Sequence, residues 1–152
     1  MDEYIEKHLI DILNAATEVE SYFADAPKRF QDFQNDMLRQ RAVERNVEIM
    51  GEAINRILKH DPDFSLPNSR AIIATRNRVI HGYDSVTTEF IWSLIIRHIP
   101  ALKKDVEALL FDNPSYDNSI VGISHNGRII YSFEKMIEEL CKEDNIEQDE
   151  AI

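Results

Sequence analysis

Cysteine is almost absent from this chain of 152 residues: Cys141 stands alone, which excludes an intrachain disulfide and a thiolate zinc cluster and suits a reducing compartment. Glycine and proline are scarce as well, 4 and 5 residues, and so few breakers favour long regular elements, helices before anything else. No apolar run approaches the roughly 20 residues that cross a bilayer. Met1-Asp2-Glu3 also lacks the basic-then-apolar order of a signal peptide, so a cytoplasmic protein without membrane contact is expected. Neither a G-x4-G-K-[ST] loop nor a G-x-G-x-x-G turn occurs, so no nucleotide-binding fold of its own is expected. His8, His60, His98 and His125 show no ligand spacing such as H-x3-H, so they read as surface or packing residues and no metal or other cofactor is expected.

Positive charge is in short supply too. Seventeen Lys and Arg face 28 Asp and Glu, a net charge of -11, which argues against a broad coat of nucleic acid and for a basic partner or a narrow cleft. The deficit is uneven. From Asn113 onward nine acids face three bases, leaving -6 there and -5 on the preceding 112 residues. Arg39, Arg41, Arg45, Arg56, Lys59, Arg70, Arg76 and Arg78 crowd the middle third, where a local basic surface can form.

What is present is helical periodicity. Ile5, His8, Leu9, Ile12, Leu13, Ala16, Val19 and Phe23 fall at steps of three and four, which predicts a first helix over residues 4–23. Asp25-Ala26-Pro27 ends it, and Lys28 to Asn35 is either a short helical turn around Phe30 and Phe33 or an extended link. Asp36 has the character of an N-cap for a second helix to His60, with Leu38, Ala42, Val43, Val47, Met50, Ala53, Ile54, Ile57 and Leu58 as its apolar positions. Gly51 inside it costs up to about 1 kcal/mol relative to alanine, a cost usually returned as close approach of a neighbouring helix. A third helix is expected to start between Ser65 and Ser69 and run to Gly82, with Ala71, Ile72, Ile73, Val79 and Ile80 apolar. A fourth carries Phe90, Ile91, Leu94 and Ile95; Pro100 is either a kink or the first residue of a fifth, which carries Leu102, Val106, Leu109 and Leu110. Trp92 lies within this periodic pattern and reads as core rather than as a base-stacking platform. The fold class is thus all-α, an up-and-down helical bundle over residues 1–112.

Residues 113–152 differ in kind. Asn126-Gly127 between β-branched runs is a strong hairpin signal, and Ile120, Ile129, Tyr131 and Phe133 would share one face. A short helix from Phe133 to Lys142 and an acidic tail would follow, making a small appendage that should pack on the bundle or on another chain.

Thr75 to Tyr83 gathers more groups suited to chemistry than any other stretch. Arg76 and His81 are five residues apart, about 140° around an ideal helix, so they share a face only if the helix ends or bulges near His81. Asn77 and His81, four apart, do share one, so the amide can fix the imidazole's tautomer and tilt. A helix that ends in Arg, His and Gly also satisfies its dipole and carbonyls without any catalysis.

Arg76-x4-His81-x-Tyr83, with polar Asn77 after the arginine, resembles the R-x4-6-H motif of HEPN domains, in the R-x4-H-x-Y form of HepT toxins from HEPN/MNT toxin-antitoxin pairs. The resemblance extends to Arg41-Ala42-Val43-Glu44-Arg45, Glu48-Ile49-Met50-Gly51-Glu52-Ala53, Phe90-Ile91-Trp92 and Ile99-Pro100-Ala101-Leu102. It implies a helical homodimer pairing two motifs across a cleft, and a metal-independent endoribonuclease. His81 would be general acid or base, Arg76 would hold the phosphate, and Asn77 would position either. Tyr83 would accept AMP from a cognate minimal nucleotidyltransferase antitoxin. The stripe Arg41, Arg45, Arg56 and Lys59 either guides RNA to the cleft or simply solvates a helix, and Arg41, Arg45 and Arg78 are the candidate RNA-binding residues. A non-catalytic partner of a nucleotidyltransferase and a purely structural helical dimer are the competing readings.

Overall fold

The computed structural model describes residues 1–81 and 86–111 with their side chains, and the backbone of 120–123 and 129–131. The elements are α1 (Glu3–Ser21), α2 (Phe30–Gln34), α3 (Met37–His60), α4 (Arg70–Ile80), α5 (Thr88–Ser93) and α6 (Ile99–Phe111), with strands β1 (Ile120–Ile123) and β2 (Ile129–Tyr131). The described residues up to Phe111 form a helical bundle. α3 is its spine, with α1 along one flank, α4 along another, and α6 closing on α1.

The bundle follows from the apolar stripes. Ile5, Leu9, Ile12, Leu13, Ala16 and Val19 of α1 are buried against Val43, Val47, Met50, Ile54 and Ile57 of α3 and Leu102, Val106 and Leu110 of α6. Burying each Leu, Ile or Val contributes about 1.5–3 kcal/mol, and their steps of three and four keep one stripe facing inward along each helix. Lys103 of α6 reaches Glu20 of α1 at 2.6 Å, tying the two at the rim. No described helix is long and apolar enough to cross a membrane.

Leu38 departs from its expected place in the stripe. It is 83% exposed, because it precedes Val43 by five residues and so points about 140° away from the buried seam. Asp36 does cap α3: its carboxylate accepts the Arg39 backbone N–H at 3.0 Å. Asp36→Ala is expected to lose about 1 kcal/mol, seen as a lower urea midpoint at unchanged m-value.

Between Ala26 and Asp36 the chain takes the short helix, α2, which sinks Phe33 to complete burial. Phe33 meets Trp92 at 5.4 Å between ring centroids, and Phe23 and Phe30 reach the same indole at 5.9 and 6.0 Å. Trp92 is thus committed to an aromatic cluster that locks α2 and α5 onto the bundle. α4 starts at Arg70 with Ser69 as its N-cap, at the late end of the expected range, after Asn68 adopts a left-handed φ of 61°. An asparagine tolerates that conformation, and its amide donates to Asp105 at 2.7 Å.

Pro100 neither starts a separate helix nor breaks one. α5 runs through a π-helical turn, Leu94–His98, straight into α6, and the Ile99 N–H bonds the Leu94 carbonyl five residues back. A wider turn just before proline absorbs the ring and its missing N–H. Leu94, Ile95 and Ile99 all remain buried across it.

Beyond Phe111, β1 and β2 pair antiparallel with Ile123 opposite Ile129. That is one residue off the register a two-residue Asn126-Gly127 turn would set. The turn itself, the expected helix from Phe133 to Lys142 and the acidic tail lie outside the described residues.

Candidate active site

Two of α4's residues, Ile72 and Thr75, are fully buried, while Asn77, Arg78, Ile80 and His81 are exposed. Arg76 sits at the boundary between those faces. Its side chain is 23% exposed, and its stem lies against Gly51 of α3: a Cβ built on that glycine would stand 2.5 Å from the Arg76 Cβ and 2.7 Å from its Cγ. At Gly51 the motif arginine on α4 thus occupies the space that a side chain on α3 would take.

The head of Arg76 is held from two sides. One terminal nitrogen donates to Glu52 Oε2 at 2.7 Å, and the other to the Asn77 side-chain oxygen at 3.2 Å. Arg56 Nε donates to the other Glu52 oxygen at 3.0 Å. Each oxygen of one carboxylate thus serves a different arginine. The Arg56 hydrogen bond, with further help from the charges of Arg76 and Lys59, holds the Glu52 carboxyl below its ordinary value of 4.5, although partial desolvation opposes it.

Because the folded value is the depressed one, this contribution to stability is complete above the ordinary value and is lost as pH falls through the folded value. The stability gap between wild type and Glu52→Gln, measured by urea melts, is expected to be widest near neutral pH and to close in acid, below the ordinary glutamate value.

Arg76 and Ile80 face an open groove of about 300 Å³, whose other wall is α3 through Arg45, Glu48, Ile49, Glu52 and Arg56, with His8 and Asp11 of α1 at its end. His8 is 3% exposed and its Nδ1 lies 3.3 Å from the Asp11 carboxylate. His81 does not line this groove. It is the C-cap of α4, exposed, with φ -81° and ψ 3°, and its backbone N–H bonds the Asn77 carbonyl at 3.1 Å. The helix ends at Ile80, but the φ of His81 and its N–H bond to Asn77 keep its Cβ near the helical position, so this ending does not by itself bring His81 onto the face of Arg76.

The candidate RNA-guiding arginines are dispersed. Arg45 lies on the groove but pairs with Glu48 at 3.1 Å; Arg41, a turn earlier, pairs with Glu44 at 2.7 Å beside Val86 and Ile91 instead. Arg78 lies over the Phe90 ring at 5.6 Å. Gly82 and Tyr83, the latter the expected AMP acceptor, fall outside the described residues.

Sequence reasoning placed Arg56 in a stripe that could guide RNA but passed over Glu52, His8 and Asp11 as parts of the site. A usable signal was present, since Arg45, Glu48, Ile49, Glu52 and Arg56 recur at steps of three and four and mark one polar face of α3. What they face was not deducible from α3 alone.

Residues 12–109 match the family model described as Ribonuclease HepT-like. The chain belongs to the HepT-like ribonuclease family. Among relatives, a Thermococcus cleftensis protein named a probable ribonuclease HepT is 32% identical over 106 residues, 67% of this chain and 92% of that one. A Methanocaldococcus jannaschii protein provisionally named an RNase is 30% identical over 105 residues, 68% of this chain and 94% of its own. A third, also provisionally named an RNase, from Caldanaerobacter subterraneus subsp. tengcongensis, is 35% identical over 85 residues, 53% of this chain and 73% of that one. No solved structure matches the chain significantly. The family match spans the helical bundle from α1 into α6 and stops before the residues that follow Phe111.

Proposed function

We propose that this chain is a metal-independent endoribonuclease acting as the toxin of a toxin-antitoxin pair, with Arg76, Asn77 and His81 as its site. The observation that carries the reading is the membership of residues 12–109 in the HepT-like ribonuclease family, together with an arginine held in place at a groove and an exposed histidine at the end of the same helix. In this mechanism His81 takes the proton of a ribose 2'-OH or donates one to the leaving 5'-oxygen. Arg76 binds the phosphate between them and stabilises the charge that develops on it. The products are a 2',3'-cyclic phosphate and a 5'-OH.

The working unit is proposed to be a homodimer in the cytoplasm. Support comes from the geometry of one protomer, in which the groove takes in Arg76 but not His81, and from Ile49 and Ile80, 36% and 51% exposed beside it. A second copy laid over these residues would bury them and bring another His81 towards the groove. Tyr83 is proposed as the acceptor of AMP from a nucleotidyltransferase antitoxin, which would place bulk and negative charge two residues from His81. Residues 113–152 are proposed as an appendage that packs on the bundle or meets a partner.

The test is cleavage of single-stranded RNA by the purified full chain in excess EDTA, with the ends analysed by mass. Cyclic phosphate ends support the reading. Intact RNA, or cleavage only when a divalent metal is restored, removes it. Incubation with ATP, magnesium and the partner nucleotidyltransferase should add the mass of AMP to a peptide containing Tyr83 and silence cleavage.

A further inference from the structure

Glu52 stands in the groove between two arginines. Its two carboxylate oxygens bind two arginines, Arg76 on the neighbouring helix and Arg56 one turn along its own. Arg76 is constrained at every level: its stem rests against Gly51, one terminal nitrogen is on Glu52, and the other is on Asn77. Its Nε is buried without a hydrogen-bond partner, so the orientation of the guanidinium depends on its two terminal nitrogens. Of these two contacts the one to Glu52 is shorter and joins opposite charges, and the one to Asn77 is longer and ends on a neutral acceptor. Remove Glu52 and the planar head can turn about its last bonds.

We infer that Glu52 is the positioning residue that aims Arg76 at the scissile phosphate, with Arg56 as the brace that keeps the Glu52 carboxylate from swinging away. This inference rests on the ribonuclease reading above. Each terminal nitrogen of Arg76 carries two N–H groups and spends one within the protomer, so a donor remains on each for a phosphate oxygen. Fixing those donors before the substrate arrives removes reorganisation from the reaction step. The cost falls on binding. With Arg45, Arg56 and Arg76 opposed by Asp11, Glu48 and Glu52, the groove is close to charge-balanced and attracts RNA weakly.

Positioning and attraction therefore pull in opposite directions at Glu52, which separates this role from a merely structural one. In Glu52→Ala, kcat is expected to fall by about 10–100-fold, the order that a displacement near 1 Å produces. RNA binding, measured by fluorescence anisotropy, should stay equal or tighten as a negative charge leaves the groove. Glu52→Gln keeps an oxygen that can accept from Arg76 and should recover part of kcat, and Arg56→Ala should lose less than Glu52→Ala. Rotation of the Arg76 guanidinium about its Nε–Cζ bond, followed by NMR of the full chain, should be slow in wild type and faster in Glu52→Ala.

A Glu52→Ala protein that cleaves as fast as wild type, or faster, overturns the inference, as does a loss explained wholly by weaker binding. If wild type itself cleaves no RNA, the ribonuclease reading fails, and the placement of Arg76 is then decided by NMR alone: unchanged rotation in Glu52→Ala overturns it, and freed rotation upholds it.

Discussion

Arg76→Ala and His81→Ala are each expected to lower RNA cleavage by about 10²–10⁴-fold while leaving a folded protein. The magnitude follows from the proposed roles, proton transfer for one and charge stabilisation at the phosphate for the other. The stability expectation follows from the structure. His81 is an exposed C-cap whose capping bond is made by its backbone N–H, and trimming its side chain leaves that bond in place. Removing the Arg76 head leaves Glu52 its bond to Arg56, and a partly exposed ion pair contributes only about 0–1 kcal/mol. Circular dichroism and urea melts check the fold, and a cleavage time course checks the rate.

The two variants also test how the site is assembled. If Arg76 of one protomer works with His81 of another, mixing the two inactive variants produces mixed dimers with one intact pair, and part of the activity returns. A site complete within one chain recovers nothing on mixing. Combining both substitutions in one chain should lower the rate little further than either alone, because groups that act as a unit are not additive.

Gly51→Ala is expected to damage both stability and cleavage, from a change of one methyl group. In the interior of a helix, alanine is ordinarily favoured over glycine by about 1 kcal/mol. Here the added carbon would stand 2.5 and 2.7 Å from the Cβ and Cγ of Arg76. Those atoms are the root of the side chain and cannot swing aside, so α3 and α4 must separate. Overpacking of this kind costs about 1–3 kcal/mol, which should outweigh the gain in propensity and leave a modest net loss in a urea melt. The larger effect is on rate, because the same separation shifts the Arg76 head by a distance near that of the clash, and a shift of about 1 Å can cost 10²-fold. An alanine variant more stable than wild type and equally active would mean that the two helices do not meet as described.

The helices were legible in the sequence because their buried residues keep a strict period. Val43, Val47, Met50, Ile54 and Ile57 mark the seam of α3 without help from any other element, and Asp36 announces its start. Leu38 was misread for a reason of the same kind: counting apolar residues without checking their angle places it with Val43, although five residues separate them. At Pro100 two outcomes were equally compatible with the local pattern. A π-helical turn is selected by the need to keep Leu94, Ile95 and Ile99 all facing the core on either side of the proline, which is a demand of the packed bundle.

By itself, then, the sequence determined the all-helical bundle, the seam of each long helix, and the placing of Arg76, Asn77 and His81 at the end of one of them, since these depend on contacts within a few residues along the chain. It also marked Gly51 as a point of close approach, because a glycine inside a long helix needs a reason. Only the tertiary structure decided what approaches it. Arg76 is 25 residues from Gly51 and 24 from Glu52, and no period or motif relates positions on two helices whose crossing is set by the fit of their side chains. The hold on the motif arginine arises where α4 crosses α3, and it exists only once the bundle has closed.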